Sequence, residues 1–102
     1  MKTFAVNAVS VPLATEASQV VRADLRAVLA RVVADKGLSQ TQAAKLCSTD
    51  QPTLSKILSG RSDSVSTDQL LRWLVQLGCD VDLTVRNSQK GCPGSIRASF
   101  DE

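Results

Sequence analysis

Residues 38–60 have the sequence LSQTQAAKLCSTDQPTLSKILSG, and this stretch predicts two short helices joined by a tight turn. Ser39 stands three residues before Gln42, the spacing of a capping box, in which each side chain bonds the backbone amide of the other residue. Asp50 can cap a second helix. Pro52 would fall in the first turn of that helix, where proline is tolerated because no amide donor is needed. Gly60 then supplies the C-terminal stop.

The second of these helices has two chemically different faces. Its apolar residues follow the i, i+3, i+4 spacing of a buried helical stripe and are Leu54, Ile57 and Leu58. Its other side chains are polar and of the types that hydrogen-bond base edges and phosphates: Gln51, Thr53, Ser55, Lys56 and Ser59. Two helices with a turn between them, the second carrying such a face, describe a helix-turn-helix. The alternative is a helical hairpin of another all-α domain.

The same stretch resembles, position by position, the helix-turn-helix of the Cro/cI-type (XRE) repressor family. The matching residues are Leu38, Ser39, Gln40, Ala44, Gln51, Pro52, Thr53, Leu54, Ser55, Lys56, Ile57 and Gly60. The chain departs from the family at Ser48, where a glycine is usual in the turn. Because serine enters the left-handed region only at some cost, we expect a slightly different or strained turn.

Length and composition limit the possible functions. The 102 residues predict one domain, and the net charge of +2 neither requires nor excludes a nucleic-acid partner. The three cysteines are far apart and there is no histidine, so we expect reduced thiols, no metal site and no cofactor. Catalysis by Ser-His or Cys-His pairs is excluded, and the chain is not expected to be an enzyme. Reduced thiols fit a cytoplasmic protein.

Residues 1–14 form an apolar, weakly alternating N-terminal arm with two open interpretations, a short edge strand or a disordered segment. A signal peptide is disfavoured, because only Lys2 is basic and Pro12 interrupts the apolar run. The arm is also too short to span a membrane.

The helix-turn-helix domain is predicted over residues 15–86. Thr15 or Ser18 caps a first long helix that ends at Gly37. Ser66 and Gln69 form a second capping box before a helix over residues 67–77. That helix is apolar on more than one face, which predicts packing on the first helix and on a second subunit. Its tryptophan, Trp73, is either a core residue or an anchor at the interface between subunits.

Residues 79–86 predict an amphipathic β-strand, since apolar and polar residues alternate strictly. A strand needs a partner for its backbone groups, and the economical partner is the same strand of a second copy, antiparallel across a two-fold axis. The predicted dimerisation residues are Trp73, Val81, Leu83 and Val85. Residues 87–102 are predicted to be a flexible tail; alternatively, Ile96 and Phe100 order against a partner.

Residues 64–86 add a second resemblance. Their helix, Leu-Gly pair and short alternating strand are similar to those of small XRE-type proteins encoded beside RelE/ParE-like toxins, including HigA-type antitoxins. Together the resemblances imply a mainly α, Cro/cI-like domain of four to five helices, with a C-terminal strand that pairs across a dimer. They also imply a repressor of its own operon that binds a palindromic operator and neutralises an mRNA-cleaving toxin. The alternatives are a free-standing XRE regulator and a protein-interaction module without operator binding.

The family pattern also implies roles for individual residues at double-stranded DNA. Gln51 would contact a base, and Gln40, at the start of the first motif helix, would hold a phosphate. Thr53 and Ser55 would face bases or sugars. Lys56, Ser59 and Arg61 would face the DNA backbone. The complete predicted DNA-binding set is Gln40, Gln51, Pro52, Thr53, Ser55, Lys56, Ser59 and Arg61.

Overall fold

The computed structural model describes residues 11–101, with side chains from residue 17 onward, and contains four helices. They are α1 Val11–Asp35, α2 Gln40–Leu46, α3 Gln51–Leu58 and α4 Thr67–Gln76. The predicted helix-turn-helix is confirmed as α2 and α3. In the described part of the chain, no helix is long and apolar enough to cross a membrane. Residues 1–10, and with them most of the predicted N-terminal arm, lie outside the described residues.

The first helix is longer than the sequence predicted. It includes residues 11–14, which were assigned to the arm, and it therefore does not begin at Thr15 or Ser18. Pro12 falls in its first turn, where the fixed φ of proline suits a helix and its missing amide costs nothing. The proline that argued for an edge strand is thus compatible with a helical start.

One core joins the four helices. α1 packs along α4 and also contacts α3, while α2 packs against α3. The buried apolar residues are Leu25, Leu29, Val32, Val33, Ala43, Ala44, Cys47, Leu54, Ile57, Val65, Leu70, Trp73, Leu74 and Leu77. Trp73 is only 5% exposed, so the core of a single chain accounts for it and it offers little surface to a second subunit.

The helix starts follow the capping residues that the sequence marks. Ser39 Oγ accepts a bond from the Gln42 amide at 3.0 Å, and the Ser39 amide donates to Gln42 Oε1 at 2.8 Å, which confirms the capping box. At α4, Ser66 Oγ accepts a bond from the Gln69 amide at 3.1 Å, the first half of the predicted second box. Asp50 Oδ1 accepts a bond from the Thr53 amide at 2.7 Å and caps α3. These bonds satisfy amide donors that a helix leaves unpaired.

All four helices end in the same hydrogen-bonded turn, the Schellman motif, in which the residue after the helix has positive φ. Three of these positions are glycines with φ between 67° and 96°: Gly37, Gly60 and Gly78. The fourth is Ser48, with φ 57°. The Ser48 amide donates to the Lys45 carbonyl at 3.2 Å, and the Thr49 amide donates to the Ala44 carbonyl at 2.9 Å. The turn therefore keeps its usual geometry, and Ser48 bears the strain.

The predicted C-terminal β-strand is absent from the described residues. Residues 79–86 have no regular secondary structure in the single chain, because no neighbouring segment forms a ladder with them. Val81 packs against the edge of the core, whereas Leu83 and Val85 are 80% and 95% exposed. Pairing of this segment across a dimer stays a prediction.

The tail after residue 86 is irregular, but its end is docked on the body of the protein. Arg97 forms an ion pair with Asp24 of α1, and Ala98 and Phe100 pack against the core. Phe100 thus finds its contacts within its own chain, while Ile96 remains 44% exposed.

The strain at Ser48 predicts that Ser48→Gly stabilises the protein. Removal of the side chain relieves a left-handed residue, and the added freedom of the unfolded chain offsets part of the gain, which leaves about 0.5–1 kcal/mol. Urea unfolding followed by circular dichroism measures it. The matched control is Gly60→Ser, which places the same side chain at the corresponding position after α3 and should destabilise by a similar amount. A destabilised Ser48→Gly variant would contradict the proposed strain.

The Asp50 cap predicts a pH dependence of stability. Hydrogen bonds from the Thr53 side chain and amide lower the pKa of Asp50 below 3.8. The stabilisation from a lowered carboxyl pKa is complete above the ordinary value and is lost as pH falls through the folded-state pKa. Asp50→Asn keeps a good capping residue but removes the titration. Urea unfolding between about pH 2 and pH 5 should show a steeper acid loss for the native chain than for Asp50→Asn; parallel curves would exclude this role.

Candidate nucleic-acid interface

The amino ends of α2 and α3 meet at a pair of glutamines. Gln40 is the first residue of α2 and Gln51 the first residue of α3. Gln51 Nε2 donates to Gln40 Oε1 at 3.0 Å, and both side chains are exposed. Gln40 was predicted to contact a phosphate and Gln51 to contact a base, as two separate roles. Their direct bond comes from the angle between the two helices, which sequence spacing does not report.

After forming this bond, Gln51 still has the hydrogen-bonding groups needed for a bidentate contact with a base. A carboxamide has two N–H donors and one oxygen acceptor, and the bond to Gln40 uses one donor only. A bidentate contact with adenine needs one donor, for N7, and one acceptor, for the N6 amino group. Gln51 retains both, with its side chain already held in place. Gln40 keeps its own N–H groups, which suit a phosphate oxygen.

The carboxyl end of α3 carries a second small network. Ser59 Oγ donates to the Lys56 carbonyl at 3.1 Å and accepts a bond from Arg61 Nε at 2.9 Å. Ser59 therefore positions Arg61, whose terminal nitrogens have no acceptor among residues 17–101. Lys56 and Arg61 are both exposed and provide two cations at the carboxyl end of α3.

The polar and apolar faces of α3 separate as the sequence pattern indicated. Leu54 is fully buried and Ile57 is 3% exposed, so neither is available to a ligand. Seven of the eight predicted DNA-binding residues are exposed, and Ser55 is half-buried. Behind the turn, Cys47 lies in the core with Sγ 3.9 Å from the Trp73 carbonyl oxygen, and burial raises the pKa of its thiol to about 11. Cys47 is accordingly a protonated packing residue.

Two arginines of α1 lie close to one carboxylate of the loop after α3. Arg26 Nη1 lies 2.8 Å from Asp63 Oδ1, and Arg22 Nη2 lies 4.0 Å from Asp63 Oδ2. Asp63 belongs to the loop between α3 and α4, so these pairs tie that loop to α1. Sequence reasoning missed Asp63, because a carboxylate 37 positions from its partner carries no local signal. In the described part of the chain, no three or more His, Cys, Asp or Glu residues form a group that could hold a metal ion.

Comparisons with known proteins agree with this geometry. Residues 11–86 match the family model HTH_37, described as a helix-turn-helix domain. One similar solved structure, described as a provisional XRE-family transcriptional regulator, is 23% identical; the alignment covers 86% of this chain and 98% of that one, with a TM-score of 0.71. No curated protein matches at a significant level. With about three-quarters of its length matched, the chain belongs to the HTH_37 helix-turn-helix family, for which DNA binding is the implied activity.

Proposed function

We propose that the protein is a sequence-specific repressor that binds a palindromic operator near its own gene as a dimer. The observation that carries this proposal is the hydrogen bond between Gln51 and Gln40 at the exposed start of α3. It holds a carboxamide with a free donor and a free acceptor at the end of a helix narrow enough to enter the major groove. A bidentate contact of this kind contributes about 1–3 kcal/mol of discrimination between bases.

Contacts to the DNA backbone would come from both ends of the motif. Gln40 and the amide groups at the start of α2 suit one phosphate, and Lys56 and Arg61 suit others. Affinity falls as salt concentration rises, and each neutralised phosphate makes the slope of log affinity against log salt concentration more negative by about 0.9. Because few cations surround α3, non-specific binding should be weak and erased by moderate salt.

The dimer would form through residues 79–86. Leu83 and Val85 lie exposed, and within the described chain the backbone groups of residues 80–86 form no hydrogen bonds with other backbone groups. Antiparallel pairing with the same segment of a second copy would bury both side chains and satisfy the backbone. A two-fold axis would also place two copies of α3 in successive major grooves about one helical turn apart.

An antitoxin role is a further part of the proposal. The small size and the layout of residues 64–86 resemble HigA-type antitoxins, which suggests a RelE/ParE-like toxin as a second partner. A protein of this kind works in the cytoplasm without enzymatic activity. The alternatives are a free-standing regulator of the same fold and an interaction module that binds only a protein.

The proposal predicts that Gln51→Ala lowers affinity for the DNA upstream of the gene by at least about tenfold, because a bidentate base contact is lost. Fluorescence anisotropy at two salt concentrations, with competitor DNA, measures the loss. Gln89→Ala removes the same group from the exposed tail and serves as the matched control. Unchanged binding by Gln51→Ala would mean that α3 does not read DNA as proposed.

The glutamine pair adds a test of mechanism within the same experiment. If Gln40 acts by holding Gln51, the effects of Gln40→Ala and Gln51→Ala should not add in the double variant. Strict additivity would indicate that the two side chains contact DNA independently.

The proposed dimer predicts that Leu83→Asp converts the protein to a monomer in light scattering, since two charges would face each other across the paired segments. Leu83 is exposed in the single chain, so its fold should persist by circular dichroism. Ser88→Asp adds the same charge beyond the segment and should leave the dimer intact. A dimer that survives Leu83→Asp would move the interface to another surface, such as that around the exposed Val75 of α4.

A further inference from the structure

The end of the chain is clamped to α1 by three hydrogen bonds on one carboxylate. Arg97 Nε donates to Asp24 Oδ2 at 2.8 Å, and its Nη2 donates to Oδ1 at 3.2 Å. The Ala98 amide donates to the same Oδ2 at 2.9 Å. These bonds lower the pKa of Asp24; the bonds from Arg97 have the largest effect, and the bond from the Ala98 amide has the next largest. The Asp24 side chain is 15% exposed, so the clamp sits partly inside the surface.

Apolar contacts accompany the clamp. Ala98 and Phe100 pack against the core at the place where Cys79 and Val81 also reach it. Between the two extended segments lies a groove of about 640 Å³ with Val28 and Leu74 in its lining. No residue of α2 or α3 lines this groove, so it belongs to a surface separate from the proposed DNA interface.

The docked end is connected to the body by a loosely held linker. Residues 87–96 are exposed, and the bonds found within them close one turn, from the Cys92 amide to the Gln89 carbonyl and from Ser88 Oγ to the Cys92 carbonyl. Arg97 is 73% exposed, and ion pairs with an exposed partner contribute little to stability. A segment held by this exposed pair, one amide hydrogen bond and the packing of Ala98 and Phe100 can open without unfolding the domain.

The surface beneath the tail is acidic as well as apolar. Apart from the tail's own residues, the ionisable groups at the clamp and in the groove lining are Asp24, Asp35, Lys36, Asp80 and Asp82. Four carboxylates and one ammonium group therefore lie around the tail, with Asp24 at the clamp and the other three carboxylates in the groove lining. Such a groove favours a positively charged extended segment, and Arg97 with Phe100 three residues later shows which side chains it accepts.

We propose that the seat of the tail on α1, together with the adjoining groove, binds an extended, basic segment of a partner protein that presents an arginine to Asp24 and an aromatic side chain three residues later. The chain's own residues 97–100 occupy the site when the partner is absent and are displaced by it. Because the site lies outside the helix-turn-helix, this proposal stands or falls independently of the DNA sequence that α3 recognises.

The test uses the full chain with its tail unlatched by Arg97→Ala and Phe100→Ala, and a fluorescent peptide with the sequence of residues 94–101 as the probe. Anisotropy should show saturable binding to the unlatched protein. Binding to the native chain should be weaker by about tenfold or more, since a tethered segment competes at an effective concentration of roughly millimolar. A peptide carrying R97E should not bind.

Two further variants decide the interpretation. Asp24→Asn in the unlatched protein should reduce peptide affinity at least tenfold, whereas Asp68→Asn, which removes an exposed carboxylate of α4, should not. Circular dichroism verifies that each variant is folded. Absence of peptide binding to the unlatched chain, or equal binding with and without Asp24, would overturn the proposal. If light scattering shows a dimer that is lost when the tail is unlatched, the proposed partner protein is wrong and the groove binds the tail of a second copy.

Discussion

The structure depends on the burial of the apolar stripe of α3. Helices of seven and eight residues, such as α2 and α3, are too short to be stable in water by themselves. Leu54 and Ile57 anchor α3 in a core that also contains Leu29 and Trp73, and each large aliphatic side chain buried in this way contributes about 1.5–3 kcal/mol. The position of every polar group on the opposite face follows from that anchorage.

Capping fixes what burial leaves free. A buried stripe sets the rotation of a short helix, but its ends still carry unpaired amides and carbonyls. Ser39 and Asp50 satisfy the amino ends of α2 and α3, and the turn at Ser48 satisfies the carboxyl end of α2. These bonds define where each helix begins, and the first residue of each is the glutamine that meets its counterpart. The paired glutamines are therefore a consequence of capping and packing together.

The charges of the chain serve two different purposes. Arg22 and Arg26 hold the loop that contains Asp63, and Arg97 holds the tail on Asp24, so these three arginines are paired within the protein. Lys56 and Arg61 lie exposed beside α3. A net charge of +2 conceals this division, because the sum does not distinguish a cation paired within the protein from one offered to DNA. The same division leaves an acidic groove on the α1–α4 side.

The helix-turn-helix, its capping residues and the separation of Leu54 and Ile57 from the polar face of α3 could all be predicted from the sequence. These features depend on local spacing, which is written in consecutive residues. The prediction from the sequence placed the start of α1 too late, because Pro12 is compatible with the first turn of a helix as well as with an edge strand. Three contacts became visible only in the folded chain: the bond between Gln40 and Gln51, the ion pairs on Asp63 and the docking of Arg97 on Asp24. Each of these joins residues distant in the sequence, and their contact depends on how the helices pack.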